Sequence, residues 1–438
     1  MATVPELLPY KRIREDLFRP LSGISRRYAA AALVAFVIGA TGLLAWGYQL
    51  RRGMGVTGLN RPVYWGIYIV DFVFWIGISH AGTLISAILR LTDAAWRKPV
   101  TRAAEAITLF ALMIGGMFPI IHLGRAWRFY WLLPYPNWRL LWPNFRSPLL
   151  WDLTAIVTYL TGSAIYLYLP LIPDVAQLAK HNTPWRRKFY RALSLGWTGS
   201  DREWHALERT VKLLACLILA VAISVHTVVA WDFAMAIAPM WHSTIFGPYF
   251  VAGAIFSGIA ALLLVMAALR KLLHLEFYFT PHHFNNLAKL LLLMSLLWLY
   301  FTMAENLTVW YGNEPNEMAV FGTRTHARFA PLFWAMVVLN FVIPFVLLGI
   351  RRLRTIRNAT IAATSVVVGM WIERFIIVVP TLSTPRLASA SGFYSATWVE
   401  IAITAATFAA MAMLYMIFAK LFPIIAVWEF KPHPEEEE

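Results

Sequence analysis

Ten long apolar stretches recur along this chain, and no other feature restricts its fold as much. They fall near residues 28–48, 64–90, 103–123, 148–172, 211–235, 248–270, 286–310, 330–350, 359–380 and 396–420. Each is roughly the 20 residues that a helix needs to cross the hydrocarbon core of a bilayer. Their apolar residues run on without the alternation of a membrane β-barrel. The expectation is therefore an all-α integral membrane protein with ten transmembrane helices. Composition excludes a soluble globule, since 59% of the 438 residues are hydrophobic and only 14% are charged. The first stretch has about 27 residues before it and no small-residue cleavage pattern after it, so it reads as a retained helix and not as a signal peptide.

The net charge of +15 raises the question of nucleic acid, and the distribution of that charge answers it. With ten spans both termini share a side. That side carries 27 of the 38 Lys and Arg residues, including Lys11, Arg12 and Arg14, Arg186–Lys188, and Arg351, Arg352, Arg354 and Arg357. The opposite side carries 10, and Arg374 lies within a span. Positive-inside bias then puts both termini in the cytoplasm. The basic excess reflects topology and lipid headgroups, not nucleic acid. The connection 173–210 reads as an ordinary positive-inside loop, and the final acidic EEEE as a solvated tail. The single cysteine, Cys216, neither ligates an iron–sulfur cluster alone nor forms a CxxCH haem attachment.

An internal repeat divides the spans. PLLW at 148–151 returns as PLFW at 331–334, and His122 stands at the same offset from Glu305. Spans two to five and six to nine then read as two parallel-repeat four-helix bundles, with spans one and ten peripheral. The corresponding segments are 1–63 (cytoplasmic N-terminal segment, first span and outer loop), 64–235 (first bundle), 236–380 (second bundle) and 381–438 (last span and acidic tail). Asp152 follows PLLW where Ala335 follows PLFW, so the chemistry is expected in the first bundle.

Ionisable residues inside the spans point the same way. Asp71, Asp152, Asp232, Glu305, Glu373 and Glu400 all fall in the extracytoplasmic half, as do His122, His226, His242 and Arg374, while His80 is near the middle. Few acids are apparent in the inner half, so no continuous path from the cytoplasm is expected. Each such group costs about 2.5–3.5 kcal/mol to insert, so a set of this size implies pairing, water access or function. Glu373 and Arg374 are neighbours about 100° apart on a helix, and each is expected to meet another span. His80, beside Ser79 and Gly82, suits helix packing, and Asp232 suits a cap or interfacial water.

His122 and Asp152 bracket one outer loop, which also holds Arg125, Arg128 and Arg146. Oxidising a quinol releases two electrons and two protons, and a His/Asp pair suits proton acceptance from its two hydroxyls. The arginines would hold Asp152 or fix the loop, and Trp127, Phe129, Tyr130, Trp131 and Trp151 would wall an aromatic cleft. Three other readings stay open: a b-type haem between His80 and His226, a secondary transporter, and a non-catalytic scaffold.

Several runs together carry a family resemblance: DFVFWIGISHAGTLISAILRL (71–91), FPIIHLGRAWRFYW (118–131), NFRSPLLWD (144–152), SVHTVVAWDFA (224–234), MWHSTIFGPYFVAGAIFSG (240–258) and GMWIERFIIVV (369–379). The chain resembles the polysulfide-reductase-type quinone-interacting membrane subunits, and more narrowly the quinol-oxidising subunit of bacterial alternative complex III. The resemblance implies a multi-pass protein of the bacterial cytoplasmic membrane with a menaquinol or ubiquinol site on the extracytoplasmic side. It implies haem and iron–sulfur groups only in partners: an iron–sulfur subunit above the site, c-type haem subunits, and a homologous ten-helix membrane subunit. His122 and Asp152 would contact quinol, with Arg125, Trp151, Asp232 and Arg374 in support and Asp71, His80, His226, Glu305 and Glu373 along a proton route; no metal site is implied. A polysulfide-reductase-like molybdoenzyme partner is the alternative within this resemblance.

Overall fold

A computed structural model describes residues 9–132, 145–180, 183–390 and 392–430. Ten of its helices are long and apolar enough to cross a membrane. They are span one (Arg26–Arg52), two (Ile67–Leu91), three (Thr101–His122), four (Pro148–Lys180), five (Asp201–Ala234), six (Phe246–Leu272), seven (Pro281–Gly312), eight (Ala330–Gly349), nine (Ile356–Ser383) and ten (Trp398–Leu421). The chain is thus all-α with ten membrane-spanning helices, as its apolar stretches lead one to expect. Among the described residues there is no β-strand. The EEEE tail lies outside them.

Local chemistry sets where the helices depart from the apolar runs. Span five begins ten residues before its apolar run because Ser200 and Glu203 form a capping box. The Glu203 carboxylate accepts the backbone N–H groups of Gly199 at 2.7 Å and Ser200 at 3.1 Å. Span four continues to Lys180 through a 3₁₀ turn at Leu169–Leu171. Span three breaks at Gly116–Met117 and restarts at Phe118, with Pro119 in the first turn, where its missing N–H costs nothing. Span eight contains a π-helical turn at Val338–Val342.

Span two is buried along nearly all of its length and packs on spans three, five, six and nine. Contacts run in sequence from two to three, three to four, four to five and back to two, and likewise through six, seven, eight and nine. Spans one and ten pair with each other to one side. Small residues permit the closest approaches, as expected where lipid tails compete for apolar contact. A β-carbon at Gly82 of span two would overlap the Ala104 carbonyl of span three, and one at Gly42 of span one would overlap Ala406 of span ten. Tyr10–Phe18 and the segment up to Phe430 lie at the same end of the spans, here the near end; His122, Asp152 and Asp232 lie at the far end.

Candidate functional site

The far end of spans three to five gathers acids and an imidazole with unused hydrogen-bonding capacity. Asp152 sits in the first turns of span four, after the N1 proline Pro148, and is 6% exposed. Asp232 sits in the last turn of span five, and its carboxyl group meets that of Asp152 side chain to side chain. Each leaves Oδ1 buried without a donor. His122 ends span three and leaves Nδ1 buried without a partner. Groups of this kind in a membrane interior are normally satisfied by protein, water or ligand.

The same two spans supply an aromatic wall through a repeated dipeptide. Trp151 precedes Asp152, Trp231 precedes Asp232, and the two indoles meet edge to face at 6.0 Å. Trp151 Nε1 also donates to the Phe145 carbonyl at 2.8 Å, which fixes the entry of the chain into span four. Next to His122, the Gln49 amide of span one donates to the Ile121 carbonyl at 3.0 Å and accepts from the Tyr68 hydroxyl. Arg125 and Arg146 are exposed, as are Trp127, Phe129 and Tyr130, so these aromatics face outward and do not wall a buried cleft. The side chain of Trp131 and the loop 133–144 lie outside the described residues.

A second set of ionisable groups follows the contact between the two runs of spans. His80 and His226 stack with ring centroids 4.5 Å apart, and His80 Nδ1 is fixed at 2.6 Å from the Ile76 carbonyl. Rings in contact leave no gap for a porphyrin between them, which removes the haem reading of this pair. Arg374 lies 4.8 Å over the Phe250 ring, in a slot bounded by Gly77 and Gly253, and acts electrostatically on His226.

Glu373 and Arg374 were expected to meet other spans separately. Each does: Arg374 meets the Phe250 ring, and Glu373 the Trp298 indole, which donates to it at 3.0 Å. The two charges also lie against each other, with Arg374 Nη1 3.0 Å from Glu373 Oε2. Tyr249 joins Glu373 to Thr302. Glu305 faces Arg324 Nη1 at 3.7 Å, and Arg324 Nη2 donates to Thr381 at 2.9 Å. Burial draws the Arg324 pKa down while Glu305 opposes the shift.

Asp71 stands apart from that row. It accepts from Trp371 at 2.8 Å and from Thr404, between spans two, nine and ten. Glu400 is a capping residue at the start of span ten and accepts from the Tyr394 hydroxyl at 2.6 Å and from Gly58 N–H at 2.8 Å.

The inner acids were underestimated from sequence. Glu105, Asp174 and Glu429 are all buried at the near end, and each is held by arginine: Glu105 by Arg90 at 3.3 Å, Asp174 by Arg102 at 2.6 Å, and Glu429 by Arg90 at 3.2 Å and Arg97 at 2.8 Å. Among the described residues no cluster of His, Cys, Asp and Glu could hold a metal ion.

Fold and site together define a polytopic membrane protein whose interior buries many polar and ionisable side chains. The chain belongs to the polysulphide reductase, NrfD, family, whose model matches residues 55–386. It is similar to a putative dimethyl sulfoxide reductase membrane subunit of Halobacterium salinarum, with 26% identity over 94% of each chain. It is also similar to a selenate reductase subunit of Mesobacillus selenatarsenatis, at 24% identity over 82% of this chain and 83% of that one. A third relative is the Hdr-like menaquinol oxidoreductase integral membrane subunit of Archaeoglobus fulgidus, at 23% identity over 93% of this chain and 96% of that one. The chain is thus homologous to membrane subunits of multi-subunit oxidoreductases, a relationship that implies partner subunits.

Proposed function

We propose that this chain is the quinol-oxidising membrane subunit of a respiratory or photosynthetic electron-transfer complex in a bacterial cytoplasmic membrane. The observation that carries this reading is the set of three unpartnered buried atoms at the far end: His122 Nδ1, Asp152 Oδ1 and Asp232 Oδ1. The far end is taken as extracytoplasmic and the termini as cytoplasmic, with spans two to five and six to nine forming two parallel four-helix bundles.

A menaquinol or ubiquinol entering from the lipid loses two electrons and two protons. His122 Nδ1 accepts one hydroxyl proton, and the Asp152–Asp232 pair, whose touching carboxyl groups are arranged to share a proton, accepts the other. Trp151 and Trp231 pack against the ring. Arg125, on the exposed rim, faces the iron–sulfur partner that takes the electrons one at a time and passes them to c-type haem subunits. Arg374 and the row His80, His226, Glu373 and Glu305 support the site from within, and the protons leave outward. The membrane part of the complex is completed by a second, homologous ten-helix protein.

A second reading keeps the same site and gives the electrons to a molybdenum reductase partner. The dimethyl sulfoxide reductase and selenate reductase relatives favour it. Copurification of the native complex separates the two readings by the cofactors it brings down. Within either, His122→Ala and Asp152→Asn should lower menadiol oxidation by about 10²-fold or more while the complex still assembles; near-normal turnover in both variants would overturn the reading.

A further inference from the structure

The connection 173–210 is not the plain loop that its composition suggests. It holds the helix Pro184–Leu193 (PWRRKFYRAL), which carries four cations and no acid. Proline at the first helical position, after an extended Thr183, fixes where it starts. At about 100° per residue its side chains fall into three sectors. Arg186, Tyr190 and Leu193 share one, Trp185, Phe189 and Ala192 a second, and Arg187, Lys188 and Arg191 the third.

The first sector is held by the bundle. Tyr190 is buried, and its hydroxyl donates to the Leu421 carbonyl at 2.8 Å. Arg186 Nη1 donates to the Leu21 carbonyl at 3.2 Å, and the Leu193 carbonyl accepts from the Tyr168 hydroxyl at 2.6 Å. Leu421 is the last residue of span ten, and Leu21 shortly precedes Arg26, the first residue of span one. The helix therefore lies level with the ends of two spans, where the near face of the bilayer must be.

At that level the second sector forms an exposed apolar edge. Trp185 is 64% and Phe189 36% exposed, and the Phe189 ring packs beside Phe422, which follows span ten, with centroids 6.4 Å apart. Such aromatic groups favour the boundary between headgroups and acyl chains. The three cations of the third sector are exposed, as are Arg26 and Arg27. Lys420 completes the corner, its ammonium holding the Pro20 and Gly23 carbonyls at 2.6 and 2.8 Å. Among the described residues no carboxylate pairs with any of these cations. Arg186 and Lys420 instead act on each other as like charges. Positive charge without a protein countercharge, beside an apolar edge at the bilayer surface, is complementary to an anionic phospholipid. An acidic protein would match the charge but not the edge beside it at lipid depth.

We propose that the helix Pro184–Leu193 is an interfacial anchor whose basic sector binds anionic glycerophospholipid of the near leaflet. Trp185 and Phe189 enter among the acyl chains beneath the headgroups. Arg187, Lys188 and Arg191 hold the phosphate, with charge-assisted N–H donors facing its oxygens. The inference does not depend on the redox chemistry of the far end.

The test places the photoreactive amino acid p-benzoylphenylalanine at position 185 of the intact complex, in vesicles of equal parts phosphatidylglycerol and phosphatidylcholine. After irradiation, lipid adducts on the peptide that contains residues 184–193 are counted by mass. Phosphatidylglycerol adducts should exceed phosphatidylcholine adducts by about fivefold or more. Arg187→Gln, Lys188→Gln and Arg191→Gln together should bring the two to parity while the total lipid adduct stays within about twofold, since the apolar edge remains. Salt at about 1 M should do the same to the unsubstituted helix. If position 185 does not tolerate the probe, position 189 gives the same readout. Parity of the two lipids in the starting complex, or a preference unchanged in the triple variant, overturns the lipid site. Adducts to a partner protein in place of lipid overturn it in favour of a protein interface.

Discussion

The Glu373–Arg374 pair offers a quantitative test of how the two runs of spans are held together. Both side chains are essentially buried, at 1% and 2% exposure, with 3.0 Å between Arg374 Nη1 and Glu373 Oε2. Arg374→Met leaves a buried carboxylate whose remaining partners are the Trp298 indole and the Tyr249 hydroxyl. Removing one member of a buried ion pair costs about 3–5 kcal/mol. Glu373→Gln should cost less, about 1–3 kcal/mol for a buried donor left without its countercharge, because Gln still accepts from Trp298 and the Arg374 guanidinium keeps the Phe250 face at 4.8 Å. The double variant removes both charges and should fall within about 2 kcal/mol of the wild type, giving a coupling of at least about 2 kcal/mol. The assay is unfolding of the purified complex in detergent, titrated with SDS and read from retention of the partner subunits. A double variant as unstable as the sum of the two single ones would refute the pairing.

Three further outcomes are expected. Gly82→Leu should prevent spans two and three from closing, because even a β-carbon overlaps the Ala104 carbonyl; copurification of partners should be lost, and normal assembly would contradict the packing. Arg102→Leu leaves Asp174 buried without its cation and frees the carbonyls of Pro423 and Ile425; it should destabilise by about 3–5 kcal/mol and make the bonds after Leu421 accessible to protease, and an unchanged digestion pattern would count against the clasp. A cysteine at Thr198 should react with an impermeant maleimide only from the cytoplasmic side, whereas labelling from outside would invert the topology.

The spans themselves were legible because helical membrane segments announce themselves by length and apolarity, needing no partner to be recognised. Their ends were less so. Span five starts early because the Ser200–Glu203 box caps a polar first turn, and span four runs through two prolines to Lys180, neither of which hydropathy registers. At the far end His122 and Asp152 could be singled out from position alone. The contact of Asp152 with Asp232 could not, since it joins helices 80 residues apart. Its trace in the sequence is the repeated Trp-Asp dipeptide at the same depth in spans four and five.

The inner acids were passed over for a different reason. Glu105 and Asp174 lie close to the expected span ends, where a charged residue looks solvated, and Glu429 is buried only because Pro423–Phe430 turns back beneath the bundle. The periodicity of Ser79, Thr83, Ser86 and Arg90 was the available signal. It requires counting polar residues on a helix face where the eye counts apolar ones.

The central claim is that quinol is oxidised at the far end of spans three to five, between His122 and the Asp152–Asp232 pair. Its most direct test is to irradiate the intact complex with a photoreactive azido-naphthoquinone and sequence the labelled peptides. Labelling should fall within 118–132, 145–160 or 226–235 and be displaced by menadiol. Displaceable labelling confined to spans six to nine, with none on these segments, would contradict it.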